Sequence, residues 1–165
     1  MRVLAVCGSL QAKSSNLTLL QVAVASAPPG VAVTIFDGLR DLPHFDPDLE
    51  ARGEPASVAT WRAALTASDA VLIASPEYGH SLPGVLKNGI DWVIGSGELE
   101  RKVVAITAAT NHAERGRMGL QALRQTLNAV SATIVGGEPI VKTAPTFEQD
   151  VGRLMQALVD AATAR

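Results

Sequence analysis

The stretch Gly8–Asn16, GSLQAKSSN, sets hydroxyl and amide side chains between a short apolar run and the helical pattern LTLLQVAVA. Ser9, Ser14, Ser15 and Asn16 bring side-chain donors there. A helix beginning near Ser14 or Ser15 adds unpaired backbone N–H groups and the positive end of its dipole. That combination suits a phosphate dianion. Ser and Asn ahead of an apolar helix are also preferred N-cap residues, so the pattern alone leaves capping and phosphate binding both open. The spacing is neither G-x-x-x-x-G-K-[ST], which a nucleotide triphosphatase needs, nor G-x-G-x-x-G, which a dinucleotide-binding domain shows. The ligand class that survives is a monophosphate.

A second stretch, SPEYGHSLPGVLKNGIDW from Ser75 to Trp92, offers different chemistry. Ser75 and Pro76 end a strand, Gly79 allows tight backbone, and Ser81 followed by Pro83 marks a capped helix start. Such a loop presents main-chain N–H and C=O groups that could hold a flat, polar-edged ring, with Tyr78 supplying an aromatic surface. In a third stretch, TAATNHAERGRMG from Thr107, Thr110 and Asn111 either bond the ring or cap the next helix. Arg115 and Arg117 could attract a further phosphate, but arginines at a helix start are more often solvated or paired, here with Glu114, and they are left out of the site.

These loops need a frame that gathers them. Apolar, β-rich runs alternate with longer helical patterns, as in a parallel sheet with helical crossovers. Strands are expected at Val3–Cys7, Val31–Phe36, Ala70–Ala74, Val103–Thr107 and Ala132–Val135. Helices are expected at Ser15–Ala25, Ala56–Ala67, Leu82–Ile94, Arg115–Val130 and from Thr146 to the C-terminus. Runs such as AVLIAS do not alternate polar with apolar residues, so both their faces should be covered. In the last helix Phe147, Val151, Leu154, Leu158 and Ala161 form one apolar stripe. The acidic, Pro- and Gly-containing segment Leu39–Pro55 reads as an irregular surface connection. In a doubly wound sheet, ligands bind at the carboxyl ends of the strands, where the Gly8, Ser75 and Thr107 loops would lie.

Here the sequence resembles the NADPH-dependent FMN reductase family, flavodoxin-like enzymes that include quinone, chromate and azo-dye reductases. GSLQAKSSN resembles the family's phosphate loop, G-S-x-R-x-x-S-x-N, and PEYGHSLPGVLKNGIDW its flavin-ring loop, P-E-Y-N-x-S-x-P-G-x-L-K-N-x-x-D-W. The resemblance implies an α/β, flavodoxin-like three-layer sandwich: a five-stranded parallel sheet of order 2-1-3-4-5 with helices on both faces. It implies FMN as cofactor, NADPH or NADH as co-substrate, and a quinone, free flavin, azo dye or metal oxyanion as electron acceptor. Ser9, Gln11, Ser14, Ser15 and Asn16 would surround the phosphate, and Pro76, Glu77, Tyr78, Gly79, Ser81 and Thr110 the ring. Gln11 stands where the family commonly has Arg, and Gly79 where it has Asn. Losing a bidentate, always-charged phosphate donor would weaken FMN binding. The flavin would carry the hydride chemistry, so no catalytic side chain is expected, and none of the usual nucleophile or paired-carboxylate patterns occurs.

Composition narrows the alternatives. At 165 residues with 47% hydrophobic and 18% charged content, the chain fits one domain, residues 1–165, with a sizeable core. A net charge of −2 offers no general field for nucleic acid or a membrane surface. It also separates the chain from flavodoxin-type electron carriers, the rival reading, which are strongly acidic for docking on basic partners. Cys7 is the sole cysteine and reads as strand packing. His44, His80 and His112 lack ligand spacing, so no metal is expected, although His80 falls in the ring loop. No run is long enough to span a bilayer, and a cytoplasmic location is expected. The apolar helix with Leu82, Val85, Leu86, Ile90, Trp92 and Val93 fits either core or a subunit contact, and the resemblance points to a homodimer, or a tetramer.

Overall fold

The computed structural model describes residues 1–164. Its strands are β1 (Arg2–Cys7), β2 (Ala32–Phe36), β3 (Ala70–Ala74), β4 (Val103–Thr110) and β5 (Thr133–Val141). The helices are α1 (Ser15–Ala25), α2 (Pro47–Arg52), α3 (Ala56–Thr66), α4 (Gly84–Asp91), α5 (Arg117–Ala129) and α6 (Phe147–Thr163). The strands form one five-stranded sheet of order β2-β1-β3-β4-β5, with every pairing parallel. This is the flavodoxin-like arrangement that the motifs imply.

Side-chain alternation divides the core between the two faces of the sheet. Leu4 and Val6 of β1 join Trp61, Leu86, Ile90 and Leu123 on one face. Val3 and Ala5 join Leu19, Leu20, Val151 and Met155 on the other. All of β3 is buried, as its unbroken apolar run demands. In α6, Val151, Met155 and Leu158 form the buried seam, while Phe147, Leu154 and Ala161 flank it half-buried. No helix among the described residues is long and apolar enough to cross a membrane.

The segment 39–55 is more ordered than its composition suggests. It contains a 3₁₀ turn (Gly38–Asp41) and α2, whose N-cap Asp46 accepts from Asp48 N–H. Tertiary bonds hold it: Asn88 donates to Pro43 O and accepts from Phe45 N–H, while the Trp92 indole N–H also donates to Pro43 O at 2.8 Å. Phe45 stands edge-on to Trp92, with ring centroids 5.1 Å apart. Sequence proximity carries no trace of these bonds, which come from α4 and the residue after it. Leu86, Ile90, Trp92 and Val93 of that apolar segment are buried in this chain's own core, while Leu82 and Val85 are half-buried against it.

The last strand also runs further than propensity allows. The sequence pattern ends it at Val135, because Gly136, Gly137 and Pro139 are poor strand residues. In the structure the pairing shifts register between Ile106 and Ala108: Ile106 faces Gly136, whereas Ala108 faces Pro139, so β5 accommodates one extra residue in a bulge. The Thr107 hydroxyl donates to Glu138 O at 2.9 Å across it. Beyond the bulge, pairing resumes to Thr110↔Val141.

Candidate functional site

The loops after β1, β3 and β4 meet at the carboxyl edge of the sheet. Gly8 N–H donates to Ala74 O at 2.9 Å, fastening the first loop to the end of β3. Asn16 is buried, and its Oδ1 accepts from Ala109 N–H at 2.9 Å, fastening the start of α1 to the end of β4. Between these loops opens a cavity of about 560 Å³, within the range of small-molecule sites. Ser15, Pro76, Glu77, Thr110, Arg115 and Lys142 are among its lining residues.

Ser14 caps α1, its Oγ accepting from Asn16 N–H, and it is buried. Ser15 then presents its hydroxyl to the cavity, where Lys142 Nζ donates to it at 2.9 Å. Among the described residues the N–H groups of Ser15 and Leu17 have no protein acceptor, as first-turn N–H groups do not unless something caps them. Ser9 accepts from Gln11 N–H, and both line a separate cavity of about 160 Å³ beside Phe36 and Arg40. The Gly8–Asn16 loop is therefore a wall between two cavities, with Ser15 on the larger side. Burial pushes the Cys7 thiol up, against hydrogen bonds from the Ser9 backbone and the Ser14 side chain that pull it down. The thiol is half-buried at the end of β1, where it borders the smaller cavity.

The ring-loop motif folds as a tight turn. Tyr78 and Ser81 exchange backbone hydrogen bonds of 3.0 and 3.1 Å, and the intervening Gly79 and His80 have φ of 57° and 60°. Positive φ at both central positions defines a type I′ turn. The N–H groups of Gly79 and His80 have no protein acceptor among the described residues. Tyr78 stands 57% exposed at the base of the turn. Asn and Gly are the residues that tolerate this backbone best, so the exchange of the family's Asn for Gly79 preserves the turn. Gly79→Asn is expected to leave stability within about 0.5 kcal/mol of the parent, whereas Gly79→Val costs about 1–2 kcal/mol in urea denaturation.

Three expectations change here. Ser81 does not cap the following helix; it closes the turn, and α4 starts from Pro83 with no side-chain cap. Ser81 also faces away from the main cavity, lining a groove with Lys87 and Ile94. Thr110 and Asn111 do not cap α5 either. Thr110 belongs to β4 and its hydroxyl donates to His112 O, while the N-cap of α5 is Gly116, which has no side chain to offer. The missing cap comes from the ring loop. Glu77 Oε2 accepts from Gly119 N–H at 2.8 Å, placing a carboxylate at the positive end of α5 and holding the second and third loops together. Glu77 thus has a structural task beside any contact with a ligand, and its Oε1 lies 3.5 Å from His80 Nδ1.

The cavity also includes residues that sequence reasoning set aside or missed. His80 and Arg115 line it, and Arg117 does not, being paired with Glu138 at 2.9 Å. Lys142 was invisible because it follows a strand whose last residues, Gly136–Val141, lacked a strand pattern. FMN fits these residues. One end offers a lysine, a hydroxyl and free N–H groups for a phosphate, and the other offers Pro76 and His80 for the ring, while Tyr78 and Gly79 stand outside the cavity lining, on the turn beside it.

A family model described as NADPH-dependent FMN reductase matches residues 1–146. The NAD(P)H-dependent FMN reductase of Pseudomonas aeruginosa is 39% identical over 130 residues, spanning 76% of this chain and 69% of that protein. A quinone reductase of Pseudomonas putida is 34% identical over 128 residues, spanning 76% of this chain and 68% of its own length. Among solved structures, the flavoenzyme NAD(P)H:(acceptor) oxidoreductase of Paracoccus denitrificans superposes with a TM-score of 0.89 at 26% identity, covering 99% of this chain and 97% of that one.

Proposed function

The chain belongs to the NADPH-dependent FMN reductase family, and from that membership we infer that its main cavity holds FMN and admits reduced nicotinamide and an electron acceptor in turn. It is an FMN-dependent NAD(P)H oxidoreductase, with quinones the acceptor class closest to its named relatives. The observation that carries this reading is the convergence of Ser15, Pro76, Glu77 and Thr110 on one cavity at the carboxyl edge of the sheet.

FMN supplies the hydride chemistry when bound. The chain's own residues bind and orient. Ser15 and the first-turn N–H groups of α1 receive the phosphate, with Ser14 and Asn16 setting the loop behind them. Ser9 and Gln11 shape that loop from its far side. Pro76 would border the ring from the cavity wall, Tyr78 would flank it from the exposed base of the turn, and the free N–H groups of Gly79 and His80 would meet its polar edge and favour negative charge there. Glu77 holds the ring loop against α5, and Ser81 closes the turn. The openness that admits nicotinamide also admits the acceptor, so one substrate must leave before the other enters.

The test is a flavin titration followed by two-substrate kinetics with NADPH and a quinone. Saturable FMN binding and parallel double-reciprocal lines are the expected result. Intersecting lines would overturn sequential use of one opening, and FMN binding without NADPH oxidation would identify an electron carrier instead. A cytoplasmic setting belongs to this proposal because the reaction draws on reduced nicotinamide nucleotide, as in the NAD(P)H-dependent relative. Family membership supports a single domain acting as a homodimer, which light scattering of the purified protein checks.

A further inference from the structure

We propose that Lys142 supplies the positive charge for the FMN phosphate, the task that Gln11 cannot perform in this chain. The inference rests on the flavin reading above and adds a residue to it. Position 11 carries a neutral amide and lines the smaller cavity, on the far side of the loop from Ser15. A phosphate dianion at Ser15 therefore needs its counter-charge from elsewhere.

Lys142 is placed for that task. Its Nζ lies 2.9 Å from Ser15 Oγ, across 127 residues of chain, and both residues line the main cavity. Among the described residues no carboxylate pairs with it, unlike Arg62, Lys87 and Arg117, whose charges are engaged by Glu50, Asp91 and Glu138. A lysine whose polar partner is a neutral hydroxyl retains N–H donors for an anion. The position is also fixed from behind. Lys142 N–H donates to Thr110 O at 2.9 Å, and the neighbouring Ala109 N–H donates to Asn16 Oδ1 at 2.9 Å. The ends of β4 and β5 and the start of α1 are thus laced together around one point, with the ammonium group facing it. Arg115, the other cation on this cavity, follows β4 on the α5 side, where Glu77 and Gly116 lie.

Riboflavin, which has the same ring and no phosphate, isolates the effect. Binding of FMN and of riboflavin is measured by flavin fluorescence for the parent protein, Lys142→Gln and Lys142→Arg. Lys142 is exposed, so its substitution leaves the core intact. Lys142→Gln is expected to weaken FMN by about 10- to 100-fold, the worth of a hydrogen bond to a charged group, and to leave riboflavin unchanged. Lys142→Arg is expected to stay within a few-fold of the parent for both. Equal FMN affinity in the parent and Lys142→Gln, or equal loss of FMN and riboflavin, would overturn the assignment while leaving the flavin reading intact. A parent protein that binds neither flavin would overturn both.

Discussion

Asn16→Leu is expected to lower the free energy of unfolding by about 1–3 kcal/mol and to weaken FMN binding in the same protein, because one side chain serves both. Asn16 is 4% exposed, and its Oδ1 is the acceptor for Ala109 N–H. Leucine matches its size and leaves that N–H without a partner at the edge of the cavity. The start of α1 is then free to move relative to β4, and with it Ser15 and the first-turn N–H groups. Asn16→Asp separates the two effects. It keeps an oxygen for Ala109 N–H and places an acid in the first turn of α1, which the helix dipole favours, so stability falls less than in the leucine variant. The added negative charge opposes a phosphate, so FMN weakens and riboflavin does not. Urea denaturation and paired flavin titrations read both quantities. A leucine variant as stable as the parent would show that the Asn16–Ala109 bond carries no weight.

Asn16 also shows how far the sequence reaches into the site. Its type and its place after Ser14 mark it for the phosphate loop; in the structure it is buried behind Ser15 and does not line the cavity. The sequence does not reveal that its acceptor oxygen is already committed to β4, 93 residues away. Glu77 behaves the same way: the motif assigns it to the ring loop, and its bond to Gly119 N–H exists only once α5 has been packed against that loop. Strand and helix order were legible because unbroken apolar runs and periodic helices report burial directly. The ordered segment 39–55 was not, since bonds from Asn88 and Trp92 organise it rather than local propensity. Position 79 is an intermediate case. Glycine there signals a turn, and the type I′ geometry emerges only with the paired hydrogen bonds between Tyr78 and Ser81.

Lys142 was the largest omission, and the bulge in β5 explains both the omission and the residue's role. Gly136 has φ of 71°, and a Cβ built there would lie 2.6 Å from Leu154 Cδ1 and 3.0 Å from Ile106 O. Glycine is thus required twice over, by a left-handed backbone and by the close approach of β4. Gly136→Val is expected to cost about 2–5 kcal/mol, combining left-handed strain with overpacking against the neighbouring strand and α6. That is a large share of the roughly 5–15 kcal/mol that stabilises a domain. Leu154→Ala in the same chain removes the side-chain clash and leaves both the strain and the contact with Ile106 O, so it rescues only part of the loss. The consequence extends to the site. The extra residue at the bulge sets the register in which Thr110 faces Val141, and Lys142 reaches Ser15 from that register. A Gly136→Val protein that remains folded at low temperature should therefore bind FMN more weakly while keeping its riboflavin affinity, the same selectivity expected of Lys142→Gln. Full stability in the valine variant would mean that β5 continues to Val141 without needing glycine, and unchanged FMN binding would mean that the bulge does not set the position of Lys142.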